Sequence, residues 1–177
     1  MNTFLRAVEP EDLDLMYVIE NDPLLWGSGH APAFYSHYEL KCFIDSESHD
    51  FYSCRQMRFT IVSEGIACGF VDLQNFDPQN DRAEVGIALL PEQQHKGIAT
   101  EAIRQLQSLA SKRFLLYQLC ALVPEQNEPS IRLFQRTGFA CTATLSSWIK
   151  TNSNWQDVKV FQWRCNSSSE DKMPLKF

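Results

Sequence analysis

No run in the 177-residue chain approaches the roughly 18 apolar residues that span a bilayer. The opening Met1-Asn2-Thr3-Phe4-Leu5-Arg6 lacks the basic-then-apolar order of a secretory signal. Paired cysteines are missing too. Cys42, Cys54, Cys68, Cys120, Cys141 and Cys165 form no C-x-x-C pair, and neither they nor His30, His37, His49 and His95 show metal-ligand spacing. A basic excess is also absent, since 16 Lys+Arg stand against 22 Asp+Glu for a net charge of −6. These absences argue against a membrane-spanning protein, a disulfide scaffold, a metal site and a general nucleic-acid binder, which needs positive surface to neutralise phosphates. They imply a cytoplasmic protein whose cysteines serve as small apolar core residues. The negative charge suits a cationic partner, although solubility alone accounts for it. A homo-oligomer is compatible with all of this.

What is present fits one α/β domain over residues 2–165, followed by a mobile tail over 166–177 that begins Asn166-Ser167-Ser168-Ser169. Residues 3–8 alternate as a first strand. Glu9-Pro10-Glu11-Asp12 opens a helix through Ile19, with acids where the N-terminal dipole favours them. Ser36 and Glu39 form a capping box that predicts a second helix over 36–47. From Arg58 the period falls to two: a strand to Val62, a Glu64-Gly65 turn, a strand over 66–76, a turn at 77–81 and a strand over 83–89. An amphipathic helix over 98–112 follows. A strand over 119–123, a helix over 127–137, and strands over 139–144 and 158–163 complete one mixed sheet flanked by helices.

The chemistry concentrates between Glu84 and Thr100. Val85, Ile87 and Leu89 share a bulky strand face, fit for the core, while Glu84, Gly86 and Ala88 share the other. That second face carries tiny side chains and one carboxylate, so an extended ligand could approach the backbone there. Gln93-Gln94-His95-Lys96-Gly97-Ile98-Ala99-Thr100 then leads into the long helix. Unpaired amides at a helix start make an anion site, a glycine permits positive φ and close approach, and Lys96 adds positive charge. A strand-to-helix turn that uses glycine for geometry alone is the plain alternative.

Gln94-x-x-Gly97-x-Ala99 resembles the Q/R-x-x-G-x-G/A pyrophosphate loop of the GNAT superfamily of N-acetyltransferases. Asn127-Glu128-Pro129-Ser130-Ile131-Arg132-Leu133-Phe134, running on to Gly138-Phe139, is similar to that superfamily's second signature, and the two stand in the right order on a matching string of elements. The resemblance covers nearly all of the folded chain. It implies a GNAT-like fold and transfer of an acetyl group from acetyl-CoA, as co-substrate, to a primary amine. It assigns to the acetyl-CoA site the strand residues Ile87, Ala88 and Leu89 and the loop residues Gln94, His95, Lys96, Gly97, Ile98, Ala99 and Thr100. Asn127, Ser130 and Phe134 of the second motif belong to it as well, although Asn127 is also a good helix N-cap.

The resemblance further implies that Glu84 is the base that deprotonates the amine, often through water; a surface glutamate on a strand is the alternative. Where many relatives place a tyrosine that protonates the leaving thiolate, this chain has Phe134, which has no proton to give. Tyr117 is the nearest substitute in sequence. A CoA-binding regulatory module without turnover is the rival reading. A nucleotide-binding protein is more distant, since the loop lacks the Lys-Ser/Thr pair of a P-loop.

The N-terminal segment with Arg6 and the run Arg82-Ala83-Glu84-Val85-Gly86-Ile87 resemble the branch of ribosomal-protein alanine and spermidine N-acetyltransferases. In that family the acceptor enters between the first two helices and a late hairpin, here about 20–50 and 145–157. Glu20, Asp22, Glu39, Asp45, Glu47 and Asp50 give the first region an acidic rim, suited to a polyamine, a protein N-terminus or another small cationic amine, or else a solvated helix face. Trp26, Phe34, Tyr35, Trp148 and Trp155 are candidates for the entrance, with core packing the ordinary role of each.

Overall fold

Seven strands form one mixed sheet in the order β1-β2-β3-β4-β5-β7-β6 in a computed structural model of the chain, which describes residues 2–22, 34–46, 51–151 and 154–165. The strands are β1 (Thr3–Ala7), β2 (Met57–Ser63), β3 (Ile66–Asp77), β4 (Arg82–Leu89), β5 (Gln118–Pro124), β6 (Ala140–Lys150) and β7 (Trp155–Arg164). The helices are α1 (Leu13–Asn21), α2 (His37–Ser46), α3 (Phe51–Cys54), α4 (Ile98–Lys112) and α5 (Glu128–Arg136). The tail at 166–177, Trp26, Glu47 and Asp50 lie outside the described residues.

The alternation of β4 sorts its side chains as its sequence predicts. Ala83, Val85 and Leu89 are buried, and with Ile87 packed against them they join the large core that α4 fills with Ile98, Ala102, Ile103, Leu106 and Ala110. Burying each of the Val, Leu and Ile side chains contributes about 1.5–3 kcal/mol. On the opposite face, α1 and α2 lay Met16, Ile19 and Leu40 over Phe70 and Ala88. Gln105 of α4 satisfies the free edge of β1 by donating to Thr3 O (2.6 Å) and accepting from Leu5 N (3.2 Å). An unpaired edge is thereby closed without another strand.

All neighbouring strands pair antiparallel except β4 and β5. Their parallel pairing stops after Arg82↔Gln118, Ala83↔Leu119 and Glu84↔Cys120. Beyond Glu84 the strands part: β5 continues along β7 to Pro124, while β4 stays with β3 as far as Gly69↔Leu89. A Cβ on Gly69 would lie 2.2 Å from Ala88 O, so only glycine permits this closeness. The splay leaves the backbone edge of β4 past Glu84 unpaired, and it positions the functional site.

Several expectations need correction. The acids at 9–12 form a 3-10 turn (Pro10–Asp12) ahead of α1. Asp12 is buried and holds Arg6 (2.6 and 2.7 Å) and the Thr60 hydroxyl (2.7 Å), a tertiary tie where the dipole was the expected reason. The last hairpin is longer than predicted because β6 is an edge strand exposed on both faces, so its pattern carries no alternation. Phe34, Tyr35, Trp148 and Trp155 are exposed and belong to no core cluster. Cys42, Cys54 and Cys141 are exposed instead of serving as core residues. No helix among the described residues is long and apolar enough to cross a membrane.

Candidate active site

The loop from Leu89 to α4 is held by its own polar side chains. Gln94 N donates to Pro91 O (3.2 Å), and Gln94 Nε2 donates to Leu89 O (3.1 Å), anchoring the loop to the end of β4. His95 (φ 60) and Gly97 (φ 82) both take left-handed backbone, which turns the chain sharply into α4. Gly97 is the N-cap of α4, and no side chain among the described residues caps that helix. The first amide to find a helical partner is Glu101 N, on Gly97 O at 3.2 Å. A Cβ on Gly97 would meet nothing within 4 Å, so the space in front of the uncapped amides is open. The contrast with α5 is direct, because there Asn127 Oδ1 accepts from Ser130 N (3.1 Å) and closes the helix start.

A groove of about 700 Å³ occupies the splay between β4 and β5. Ile87, Ala88 and Leu89 line one wall; Gln94, His95, Gly97, Ile98, Ala99 and Thr100 line the end at α4; Asn127 and Ser130 line the wall at α5. On the small-residue face of β4, a Cβ on Gly86 would lie 3.6 Å from Gln74 Nε2 and 3.7 Å from Asp72 Oδ2, so the side chains of β3 stand beside it at ordinary contact distance. The groove itself opens on the free edge of β4.

Two of the residues assigned to the acetyl-CoA site, Lys96 and Phe134, do not line the groove. Lys96 Nζ donates to Gln93 Oε1 (3.2 Å). Phe134 is buried, with its ring 5.0 Å from Phe139 and 6.1 Å from Phe161, so it supports α5 from the core side. Tyr117 precedes β5 at the end opposite the groove, about seven residues and roughly 20 Å of strand from Pro124. It lines neither the groove nor the cavity under α1 and α2. Thr100 and Ser130 supply the hydroxyls of the groove lining.

Glu84 is half-buried, opposite Gln74 on β3 and Cys120 on β5, and its carboxylate makes no hydrogen bond or ion pair among the described residues. Burial, and then the negative charge of Glu84, push the Cys120 thiol up to about 11, so this cysteine is a neutral neighbour of Glu84 near neutral pH. Gln74 also lines a second cavity of about 210 Å³ under α1 and α2, walled by Met16, Leu40, Phe43 and Met57. Glu84 lines neither space: its cross-strand neighbour Gln74 lines the cavity, and Ile87, Ala88 and Leu89 of its own strand line the groove.

The second cavity holds a charge cluster that the sequence did not single out. Arg58 grips Asp72 with two hydrogen bonds (2.8 and 3.0 Å), reaches Glu20 at 2.5 Å, and sits over the rings of Phe43 (5.6 Å) and Phe70 (5.3 Å). Burial opposes its charge, but Asp72 and Glu20 hold its pKa above the ordinary arginine value. Together with Glu39, three carboxylates face one guanidinium in the lining, which leaves the cavity net negative. Glu39 also completes the predicted capping box, accepting from Ser36 N (2.8 Å) while Glu39 N donates to Ser36 Oγ (3.2 Å). Asp45 pairs with Lys41 (2.8 Å), away from the cavity.

Residues 2–140 match the acetyltransferase (GNAT) domain family. The chain belongs to the GNAT family. It is an N-acetyltransferase that takes its acetyl group from acetyl-CoA and passes it to an amine. Among its relatives, the spermidine N(1)-acetyltransferase of Escherichia coli (strain K12) is 27% identical over 171 residues, covering 96% of this chain and 90% of that protein. A putative ribosomal N-acetyltransferase of Bacillus subtilis (strain 168) is 33% identical over 79 residues, 45% of this chain and 43% of that one. Two solved structures share the GNAT fold. The spermidine N-acetyltransferase from Vibrio cholerae in complex with CoA and spermine has a TM-score of 0.81 at 23% identity, covering 92% of this chain and 95% of that one. A ribosomal L7/L12 α-N-protein acetyltransferase in complex with coenzyme A has a TM-score of 0.84 at 16% identity, covering 95% and 97%.

Proposed function

We propose that acetyl-CoA lies in the groove with its diphosphate on the amides of Gln94–Thr100, and that a cationic amine reaches Glu84 from the α1–α2 cavity. One observation carries this reading: the uncapped start of α4 opens onto a groove that runs along the free edge of β4. Oriented amides at a helix start favour an anion through both hydrogen bonds and the dipole. The pantetheine arm follows the edge at Ile87, Ala88 and Leu89, and Asn127 and Ser130 form the far wall. Lys96 and Phe134 act from outside the lining, the one as loop support and the other as the packing behind α5.

Acetyl-CoA supplies the activated thioester carbonyl. An alkylammonium with a pKa of about 10.4 is protonated near neutral pH and cannot attack it. Glu84, with no described partner to compete for its oxygens, takes that proton directly or through water. The amides near Ala88 and Leu89 polarise the carbonyl oxygen. Phe134 gives no proton, so the thiolate leaves on the strength of its low intrinsic pKa of about 8.5. The net-negative cavity supports a cationic acceptor, a polyamine or a protein N-terminus, as the names of the relatives also suggest. A cytoplasmic setting accords with six cysteines that form no C-x-x-C pair.

The test is release of free thiol from acetyl-CoA with spermidine, an alanine-ended peptide and an uncharged arylamine. The reading expects release with at least one cationic amine, falling as salt screens the cavity. CoA binding without release by any amine would favour the regulatory module instead.

A further inference from the structure

The groove beside α4 is charged differently from the chain around it. The sequence carries 22 Asp+Glu, yet among the described residues none lines the groove. Its charged side chains are Arg132 and Arg136. The two arginines stand four residues apart on α5, about 6 Å along the axis and on one face. Asn127, Ser130 and Leu133 of the same helix also line the groove. Such a lining in an acidic protein suits a ligand with more negative charge than one diphosphate.

The helix amides at Gln94–Thr100 account for the diphosphate, so the arginines need a separate anion. CoA carries one, the phosphate on the 3′ oxygen of its ribose, which is a dianion near neutral pH. The backbone of α5 is ill suited to hold it near Arg136, because that residue lies in the last helical turn, where the dipole is negative. A guanidinium presents several donors in a fork that matches phosphate oxygens. Arg132 is partly engaged by Glu128 at 3.3 Å, whereas Arg136 has no ion-pair partner among the described residues.

We propose that Arg136, assisted by Arg132, binds the 3′-phosphate of CoA and makes this enzyme select CoA over 3′-dephospho-CoA. The proposal rests on the placement of the diphosphate at α4. Titration calorimetry of the wild-type protein, Arg136→Gln, Arg136→Lys and the Arg132→Gln/Arg136→Gln pair, each with CoA and with 3′-dephospho-CoA, tests it. Wild type should bind CoA about ten-fold or more tightly than the dephospho form, the scale of a charge-assisted hydrogen bond. Arg136→Gln should remove most of that preference while leaving the dephospho-CoA affinity unchanged, Arg136→Lys should keep part of it, and the pair should abolish it. The preference should also shrink as ionic strength rises.

Equal wild-type affinity for the two ligands overturns the proposal. Equal weakening of both by Arg136→Gln also overturns it, because the arginine would then serve only the end of α5. Failure of either ligand to bind would instead remove the CoA-groove reading on which the proposal stands.

Discussion

Gly97 permits a test that separates backbone strain from obstruction of the ligand. It sits at φ 82 and ψ −5, and a Cβ there meets no protein atom within 4 Å. Gly97→Ala therefore introduces no clash in the free protein and costs only the left-handed strain, about 1–2 kcal/mol. In a chain of this size that lowers Tm by about 2–8 °C. Gly97→Asn should lose less, because asparagine tolerates left-handed backbone. If the diphosphate rests on these amides, both side chains intrude on the ligand. Losing one charge-assisted hydrogen bond costs about 1.5–3 kcal/mol, at least about ten-fold in Kd. Thermal melts of the free variants and calorimetry with CoA should thus rank them differently. Asparagine should melt nearer wild type than alanine, yet bind CoA no better. Wild-type affinity in both variants would refute the placement of the diphosphate, whatever the melts show.

Two further outcomes follow from the structure. Glu84→Gln should lower turnover by about 10²-fold or more near neutral pH with little change in CoA affinity, and the deficit should narrow as pH approaches the pKa of the amine; wild-type rates across that range would leave Glu84 only a strand residue. Asp12→Asn should destabilise the fold by about 3 kcal/mol, the low end for breaking a buried pair because Arg6 is part-exposed. Burial alone would raise the Asp12 pKa, but Arg6, the Glu9 amide and Thr60 bring it below the ordinary value. Its contribution is therefore complete above about pH 4 and is lost as pH falls through the depressed folded value. The gap between wild type and Asp12→Asn in urea melts should stay constant above pH 4 and close below it.

Much of this was legible where the signal is local. The Ser36–Glu39 box, the Glu64-Gly65 turn, the alternation of β4 and the face of α4 each depend on residues a few positions apart. The loop at Gly97 was legible for the same reason, since an uncapped helix start after a glycine is a short-range pattern. What escaped involves residues distant in sequence. The Arg58 cluster joins Glu20, Phe43, Phe70 and Asp72 from three elements, although a carboxylate amid the apolar run Phe70-Val71-Asp72-Leu73 was a sign that it needed a buried partner. The four residues of α3 are too few for a helical period, and the helix is held by Phe51 stacking on Phe76 at 4.4 Å. The exposure of Trp148 and Trp155 depends on β6 being an edge, which only the strand order reveals.

The Arg58 cluster also bears on how an acidic rim can be tested. Neutralising Glu39 and Asp45 together is the obvious way to ask whether carboxylates between residues 20 and 50 attract a cationic acceptor. In the folded chain that pair is a poor probe. Glu39 closes the start of α2 through Ser36, and Asp45 is bound to Lys41, so their loss disturbs the helix before it changes the cavity. Asp72 and Glu20 line the cavity, yet both are committed to Arg58, and removing either takes hydrogen-bond partners from a buried guanidinium. The negative field there is thus built into the walls that hold α1 and α2 over β3. Varying ionic strength with amines of different valence interrogates that field without dismantling it.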